Sequence, residues 1–390
     1  MIESTHVVIG AAFGDEGKGY VTDKLCDEHT LNVRFNGGAQ AGHTVVRPQY
    51  GRHIFSHFGA GTFAGATTYL SRDFIVSPIA FTQELRQLES LGWRYRRPNV
   101  DEDCRVTTIY DVLYNQFLER QRGDDRHGSC GMGINATVDR DVAVPLRLRI
   151  PTAELRDEIL PAIGEYYLEK GFDPLSMMSK EDWDRSLDRY VEDHIDMMYL
   201  VANLTPVLEK FKRVVMEGAQ GLMLDEFNGV FPYVTRSRTG LTNVGADPFL
   251  NNIVEQSSYA EVIYTTRPYM TRHGRGPFED NPAAVRACVD VIDETNVPNP
   301  WQESLRLGLY DHDKIEYAIH FDLETYRETN RTSIVPIRAI TCMDQVRDGR
   351  IDTTTGSLTV HEFEGMIERS YRGAIFGHGV KGMRRVQWVR

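Results

Sequence analysis

The chain has 390 residues, 41% of them hydrophobic and 26% charged, which is enough for one elaborate α/β domain or two smaller ones. Its formal net charge of −12 argues against tight binding to a nucleic-acid backbone, which requires concentrated Lys and Arg. Five scattered cysteines, an N-terminus without a secretory pattern and the lack of an apolar stretch near the roughly 20 residues of a membrane span predict a soluble, cytoplasmic protein.

The first elements along the chain alternate between strand and helix patterns. Residues 6–12 are β-branched or small and stop at glycines, which predicts a buried strand that leads into a turn. A short helix is predicted at 21–29 and a second strand at 32–36, again followed by glycines. Two such units predict an α/β fold with a largely parallel central sheet wrapped by helices, whose ligands bind beyond the C-terminal strand ends.

The rest of the chain shows no repeat, low-complexity tract or linker. Helical patterns occupy 82–91, 151–170 and 180–212, strand patterns occupy 213–216, 260–265 and 334–341, and a glycine-rich segment typical of an active-site loop occupies 121–135. A single domain over residues 1–390, with a mainly helical insertion at about 151–212, therefore fits better than two domains.

The segment 13–20, FGDEGKGY, follows the first predicted strand directly and places three glycines around Lys18. Backbone N–H groups of such a loop can face phosphate oxygens while the lysine supplies a positive charge. The segment differs from the ordinary Walker A pattern, which needs a glycine at Ala12 and a hydroxyl residue at Gly19. The loop therefore predicts phosphate chemistry of another kind.

Two carboxylates inside this loop, Asp15 and Glu16, are unusual for a passive anion site. A carboxylate repels phosphate unless a metal ion or a proton transfer is involved. The residues alone therefore indicate phosphate binding combined with either a metal ion or acid–base catalysis.

GDEGKG at 14–19 followed by GGAQAGHT at 37–44 resembles the GDEGKGK and GGHNAGHT pair of the adenylosuccinate synthetase family. Further similar motifs follow in the family's order, namely GMGI at 131–134, EGAQG at 217–221, FPYVT at 231–235, TRHGRGPF at 271–278 and TCMD at 341–344. The resemblance runs from residue 7 to about 345 and implies a P-loop-related α/β fold. It also implies a C–N ligase in which a nucleoside triphosphate phosphorylates a purine O6 and L-aspartate then displaces the phosphate.

The resemblance assigns a role to each matching residue. Asp15 would be the base on purine N1 and a ligand of Mg²⁺, His43 the acid at O6, and Lys18 a phosphate contact, with the Gly42 carbonyl as second metal ligand. An oriented carboxylate and imidazole suit this chemistry, because a 6-oxopurine is a poor electrophile until N1–H is removed. The other implied nucleotide- and phosphate-binding residues are Gly14, Glu16, Gly17, Gly19, Gln40, Ser129, Gln220, Thr235 and Asp344.

The aspartate and donor sites depart from the family pattern. Its arginine-rich loop TTGRRRRTGW corresponds to residues 298–311 here, which keep only Arg306. The expected aspartate-binding residues are therefore Arg272, Gly274, Arg275 and Arg306, with the pair Arg236 and Arg238 as an alternative. The family lysine that packs on guanine is Cys342 here, so the donor is ATP, dATP or GTP.

The acceptor pocket differs as well, since Gln40 replaces the family's asparagine. Such departures resemble the divergent archaeal and viral branch, some of whose members act on dGMP to make the precursor of 2-aminoadenine; a viral source would place the protein in the host cytoplasm. Asp15 resembles the IMP-using enzymes, so dGMP and IMP both remain acceptors. A homodimer is also implied, with an arginine of one subunit reaching the other's nucleotide; Arg140 is nearest that position.

Three alternatives remain open from the sequence. The first is a standard adenylosuccinate synthetase that uses only IMP, and the second is a catalytically silent nucleotide-binding homologue, which the missing arginine loop favours. A generic P-loop phosphatase or kinase is the third, although the absent Walker hydroxyl and the His43 motif count against it.

Overall fold

The computed structural model describes residues 2–94, 96–123, 129–292, 305–330, 332–379 and 382–387. Its strands are β1 (Ser4–Gly10), β2 (Thr30–Arg34), β3 (His43–Arg47), β4 (Gly51–Phe55), β5 (Thr67–Leu70), β6 (Asn99–Val100), β7 (Arg213–Glu217), β8 (Ala260–Thr266), β9 (Met270–Arg272), β10 (Arg306–Gly308), β11 (Val335–Ile340), β12 (Arg350–Thr353), β13 (Gly356–Thr359), β14 (Gly373–Gly377) and β15 (Met383–Gln387). Its α-helices are α1 (Lys18–Leu25), α2 (Pro78–Ser90), α3 (Ile109–Arg122), α4 (Ile134–Asp141), α5 (Thr152–Glu154), α6 (Leu160–Glu169), α7 (Lys180–Met198), α8 (Thr242–Ala246), α9 (Pro248–Gln256), α10 (Pro282–Cys288), α11 (His312–Thr329) and α12 (Val360–Ser370).

A nine-stranded sheet in the order β15-β14-β11-β8-β1-β7-β2-β5-β6 forms the centre of the molecule. All neighbours pair in parallel except β15, which runs antiparallel to β14 at one edge. Three antiparallel pairs, β3 with β4, β9 with β10 and β12 with β13, lie outside it. The predicted fold class, a largely parallel sheet with flanking helices, is confirmed.

Side chains on both faces of the central strands are buried. In β1, Val7 and Ile9 pack in one apolar cluster, whereas Val8 between them packs in a second cluster on the other face. Successive side chains of a strand point to opposite faces, and a parallel sheet is covered by other elements on both faces. This explains why the first strand appears in the sequence as a continuous apolar run.

Five helices, α3 to α7, lie between β6 and β7, and α3, α6 and α7 share an apolar cluster that also includes Leu70 of β5 and Val100 of β6. Trp183, Tyr190 and Met197 of α7 bury their side chains in it. The helices of this segment begin at Ile109, earlier than the predicted insertion at about 151–212. We propose that the helical insertion into one domain includes α3 and α4.

Several predicted boundaries shift for local reasons. The first strand ends at Gly10, before the predicted residue 12, because the Ala12 N–H is bonded to the Glu16 carboxylate at 2.6 Å. The long helical region predicted at 180–212 stops as a helix at Met198, and a 3-10 turn follows at Thr205–Lys210 with a proline at its start. In the described residues, no helix is both long and apolar enough to cross a bilayer.

Asp322 is a buried carboxylate that joins three elements. One oxygen accepts the Leu241 N–H at 2.9 Å and the other accepts the Tyr264 hydroxyl at 2.7 Å. Burial raises the pKa of Asp322 to about 6, although both hydrogen bonds oppose the shift. The folded protein therefore holds this proton more tightly than the unfolded chain, whose aspartate pKa is about 3.9.

We expect the difference in unfolding free energy, wild type minus Asp322→Asn, to fall by about 3 kcal/mol between about pH 4 and about pH 7.5. The raised pKa contributes stability below the unfolded value, and this stability is lost as pH rises through about 6. Urea unfolding of both proteins at several pH values measures the difference. Asp313→Asn, at an exposed position of α11, is the control and should show no such trend. A difference that stays flat with pH would contradict the prediction.

Candidate active site

The phosphate loop, residues 11–17, leaves β1 and ends at Gly17, the N-cap of α1. The Thr341 hydroxyl donates to the Glu16 carbonyl at 2.8 Å, and the Thr271 hydroxyl donates to the Gly14 carbonyl at 3.1 Å. These contacts come from residues that follow β8, which pairs with β1, and β11, which pairs with β8. The loop is therefore fixed at the C-terminal edge of the sheet, with a helix N-terminus available for an anion.

Glu16 and Lys18 form the interior of this loop. The Lys18 ammonium donates to the Gln220 carbonyl at 2.5 Å and lies 3.4 Å from a Glu16 oxygen. Burial raises the pKa of Glu16, although the Lys18 charge and the Ala12 and Gly14 amides oppose it. Glu16 is only 3% exposed, so its carboxylate organises the loop from within.

Asp15 and Gln220, both predicted site residues, have a left-handed backbone, with φ of 59° and 62°. Among the described non-glycine residues, only Cys342 and Asp348 share this conformation. Such positions persist where surrounding contacts hold them, and they concentrate at functional sites. Both Asp15 and Gln220 line the same cavity.

His43 begins β3, and its ring Nδ1 is hydrogen-bonded to the Glu217 carboxylate at the end of β7. The other Glu217 oxygen accepts the Ala60 N–H at 3.0 Å. Burial lowers the pKa of His43 to about 4, with Arg34 and Lys18 acting in the same direction and Glu217 opposing. Burial works against ionised Glu217, but His43 and Arg34 outweigh it and lower the Glu217 pKa. The pair in the free protein is therefore a neutral imidazole on a carboxylate, which leaves Nε2 for a ligand.

Arg34 at the end of β2 holds the glycine-rich segment 37–42, and Asn36 just before this segment is bonded to two other loops. Arg34, fully buried, donates to the Ala41 carbonyl at 3.1 Å. Asn36 accepts the Ala219 N–H at 2.7 Å and donates to the Arg238 carbonyl at 2.9 Å. Close contact is also required at Gly19, where a Cβ would lie 2.9 Å from the His43 Cβ. These contacts bring His43 beside the phosphate loop.

Most of the predicted site residues line two adjoining cavities. The larger, about 370 Å³, is lined by the phosphate loop, by residues 40–44 and by Gln220, so it contains Gly14 to Gly19, Gln40, Gly42 and His43. The smaller, about 180 Å³, is lined by Ser129, Thr235, Arg272, Gly274 and Arg275. Both cavities share the side chains of Gln40, Gln220, Leu224 and His273. The geometry thus joins a phosphate-loop compartment to a second polar compartment.

Asp344 lies outside these two linings, beyond the phosphate loop. It follows β11 and Thr341, and a Cβ at Gly379 would meet its carboxylate at 2.4 Å. A Cβ at Gly17, the N-cap of α1, would lie 2.8 Å from the Thr341 side chain, and Asp344 follows three residues later in the chain. This position suits the base of a donor nucleotide whose phosphates lie on the loop, and the role remains a proposal.

The predicted aspartate-binding arginines are not equally available. Arg306 donates to Asp280 at 2.6 Å and to the Gly276 carbonyl at 2.8 Å, and it lines neither cavity. Arg272 is 2% exposed and donates to the carbonyls of Tyr233, Arg275 and Pro277. In this structure both guanidinium groups hold the 272–280 loop. Arg275 and Gly274 line the cavity and remain the proposed aspartate contacts.

The described residues include only 305–311 of the segment that corresponds to the family's arginine loop. Residues 124–128 of the predicted active-site loop also lie outside the described part, whereas Ser129 is described. Its hydroxyl accepts from the Asn115 amide at 3.1 Å.

The structure corrects the expectation for Arg140 as the arginine that reaches a second subunit's nucleotide. Its guanidinium is completely buried and contacts both Asp111 oxygens, at 3.0 and 3.2 Å. It also donates to the Val106 and Val144 carbonyls, at 2.7 and 2.8 Å. Every nitrogen of the side chain is used inside the helical segment, so Arg140 is a structural residue.

Replacing Arg140 by methionine is expected to lower the free energy of unfolding by about 3–5 kcal/mol, because Asp111 keeps a buried charge without its partner. Chemical denaturation measures this loss. The control, Arg147→Met, removes a half-exposed arginine paired with Asp141 and should cost less than about 1 kcal/mol. An Arg140→Met protein of wild-type stability with impaired turnover would contradict the assignment.

The residues present fit a magnesium ion in part. Mg²⁺ usually takes one or two carboxylates, several waters and substrate phosphates, so it does not need a dedicated cage. Accordingly, no group of three or more metal-ligating side chains occurs among the described residues. Asp15, whose carboxylate is 28% exposed, and Gly42 line the cavity of the phosphate loop. They would hold such an ion together with the phosphates of a bound nucleotide.

Comparison with known families agrees with this geometry. The profile of a family described as adenylosuccinate synthetase matches residues 7–297. The chain belongs to the adenylosuccinate synthetase family. Relatives in this family include the adenylosuccinate synthetases of Chlorobium chlorochromatii, 31% identical over 74% of the chain and 65% of the relative, and of Marinobacter nauticus, 30% identical over 81% and 74%. The match to the first of these spans slightly less than two thirds of that relative's length.

Two solved structures share the fold of this family member. One is the fully ligated adenylosuccinate synthetase of Plasmodium falciparum, with a TM-score of 0.63 and 19% identity over 90% of this chain and 82% of that one. The other is the succinoaminodeoxyadenylate synthetase (PurZ) of cyanophage S-2L bound to dGMP and dATP as an energy donor. Its TM-score is 0.61, with 15% identity over 98% of this chain and 95% of that one.

Sequence reasoning missed three residues of this family member's site. Glu217 stands in the EGAQG motif, and its charge at the end of an otherwise apolar strand was the available signal. Arg34 gave the same signal as the charged last residue of β2, the strand that pairs with β7 in the sheet. His273 stands where the family motif TRVGAGPF has valine, a difference visible in the sequence.

Proposed function

We propose that this adenylosuccinate synthetase family member is a purine nucleotide–aspartate ligase that uses dGMP, IMP or both as acceptor. The observation that carries the proposal is that Asp15, the phosphate loop and His43 line one cavity, and that His43 is hydrogen-bonded to Glu217. A carboxylate and an imidazole that line one cavity can act on N1 and O6 of a purine, which are both bonded to C6. The phosphate loop beside them would hold the donor's γ-phosphate.

The first step activates the purine. The Asp15 carboxylate takes the proton from N1, and O6 attacks the γ-phosphorus as the bond from that phosphorus to the leaving nucleoside diphosphate breaks. For this step the His43 ring takes up a proton from solvent, so that Nε2–H donates to O6, while the Glu217 carboxylate holds the ring and stabilises its positive charge. A magnesium ion, when bound, neutralises charge on the transferring phosphoryl group.

The second step forms the C–N bond. The neutral amine of L-aspartate attacks C6, the C6–O6 bond breaks, and the amine's proton passes to the departing inorganic phosphate. Arg275 and Gly274 line the compartment next to the purine and are the proposed contacts of the aspartate carboxylates. Ser129 and Thr235, in the same compartment, are the proposed contacts of the acceptor's monophosphate.

The donor is proposed to be ATP, dATP or GTP. Asp344, near Gly379 and beyond the phosphate loop, is available to a base on that side. We also propose a homodimer in the cytoplasm, but the buried Arg140 is not its shared arginine.

The experiment combines the protein and Mg²⁺ with L-aspartate, either dGMP or IMP, and either ATP or GTP. We expect a succinylated purine nucleotide, identified by mass spectrometry, in at least one of the four mixtures, together with stoichiometric phosphate. Mixtures without L-aspartate are the control and should yield none. The proposal is wrong if neither these mixtures nor the same mixtures with dATP as donor yield the product.

A catalytically silent nucleotide-binding protein is the second candidate. This candidate is favoured because the guanidinium groups of Arg272 and Arg306 already donate to loop carbonyls and to Asp280. Fewer arginine donors therefore remain for the carboxylates of L-aspartate. This candidate predicts nucleotide binding, measured by calorimetry, without product in any of the four mixtures.

A further inference from the structure

A histidine of the 271–278 loop lies beside the proposed catalytic base. The Nε2 atom of His273 is 3.5 Å from an Asp15 oxygen, and the side chain is 15% exposed. Within the described part of the chain, neither ring nitrogen has a hydrogen-bond partner. Buried ring nitrogens without partners leave donor and acceptor capacity that a ligand can satisfy.

The loop that carries His273 is held on both sides. Thr271 is bonded to the Gly14 carbonyl at 3.1 Å, and the Arg272 guanidinium is bonded to three carbonyls. At Gly276, a Cβ would lie 2.3 Å from the Arg272 guanidinium, so glycine is required for this packing. The imidazole is therefore presented from a fixed backbone, as a specific contact to a ligand requires.

His273 also lies at the junction of the two cavities. The phosphate loop belongs to the larger cavity, and Ser129 and Thr235 belong to the smaller. A purine nucleotide with O6 toward the loop and its phosphate toward Ser129 must place its ring at the side chains that both cavities share. His273 is one of the four.

We propose that His273 is a specificity-determining residue that accepts a hydrogen bond from the 2-amino group of a 2-amino-6-oxopurine nucleotide. This inference rests on the proposed function, in which Asp15 faces purine N1, because the neighbouring ring position is C2. With Nε2–H directed at the Asp15 carboxylate, Nδ1 is the acceptor that remains. A purine with hydrogen at C2 leaves that nitrogen unpaired, and an unpaired buried group weakens binding.

The test compares dGMP with dIMP, which differ only in the 2-amino group. Dissociation constants are measured by calorimetry without donor or aspartate, and kcat/KM is measured in the complete reaction. For the wild type we expect a preference for dGMP of about tenfold or more. His273→Val, which restores the family residue, should reduce the ratio to about one, whereas His273→Gln keeps an acceptor and should retain part of it.

The control is His320→Ala, at an exposed position of α11, which should leave the ratio unchanged. A wild type that prefers dIMP, or a His273→Val protein with the wild-type ratio of dissociation constants, overturns the inference. A wild type that binds both nucleotides but converts neither defeats the proposed function, and the ratio of dissociation constants still decides the role of His273.

Discussion

Replacing Asp15 by asparagine is expected to lower kcat by about a thousandfold while nucleotide affinity changes by less than about threefold. Asparagine has the same shape and tolerates the left-handed backbone at this position, where φ is 59°. The substitution therefore removes the negative charge and the basic oxygen without straining the loop. Without them N1–H is not removed, and O6 remains a poor nucleophile toward the γ-phosphate.

Single-turnover product formation and calorimetric binding of the acceptor nucleotide measure the two quantities. The matched control is Asp348→Asn, which makes the same change at an exposed residue with φ of 51°. It should retain wild-type kcat. An Asp15→Asn protein with more than about a tenth of wild-type kcat would show that another group removes the N1 proton.

Replacing Glu217 by glutamine is expected to lower kcat by about 10²- to 10³-fold with little change in KM. The carboxylate accepts hydrogen bonds from both His43 Nδ1 and the Ala60 N–H. A glutamine has one acceptor oxygen, so it can satisfy only one of these donors, and its charge no longer stabilises positive charge on the His43 ring. The ring then loses its fixed orientation toward O6.

Steady-state kinetics and denaturation of the same preparation separate catalysis from folding in this variant. Glu261→Gln is the matched control, because Glu261 is also a fully buried strand residue bonded to a histidine, His6, at 2.8 Å. Glu261 is near the N-terminal end of β8, whereas Glu217 is at the C-terminal end of β7, so loss of the Glu261 carboxylate should affect stability and leave kcat near the wild-type value. Equal losses of kcat in the two variants would assign Glu217 a purely structural role.

The roles of Asp15 and Glu217 differ in how far the sequence indicated them. Asp15 is part of a local pattern, glycines and a lysine after a strand, in which a carboxylate is chemically conspicuous. Glu217 lies 174 positions from His43, and only the parallel order of β2, β7 and β1 brings the two together. The sequence shows the charge of Glu217 at the end of a strand but not that His43 is its partner.

Charged residues show the same limit. Arg140 and Arg306 were both expected at the nucleotide or aspartate sites, but Asp111 and Asp280 engage them. An arginine's partner depends on which acid lies within reach in three dimensions, and burial decides whether the pair is structural. The sequence shows the charge and not the partner.

By itself, the sequence determined the parallel α/β architecture and the phosphate loop, because each depends on neighbouring residues: apolar runs that end in glycines, and a lysine among glycines. The tertiary structure alone decided the partner of His43, the burial of Arg140 and the approach of His273 to Asp15. These contacts join strand ends and loops that are far apart in the chain. They form only when the folded sheet places the C-terminal ends of its parallel strands side by side.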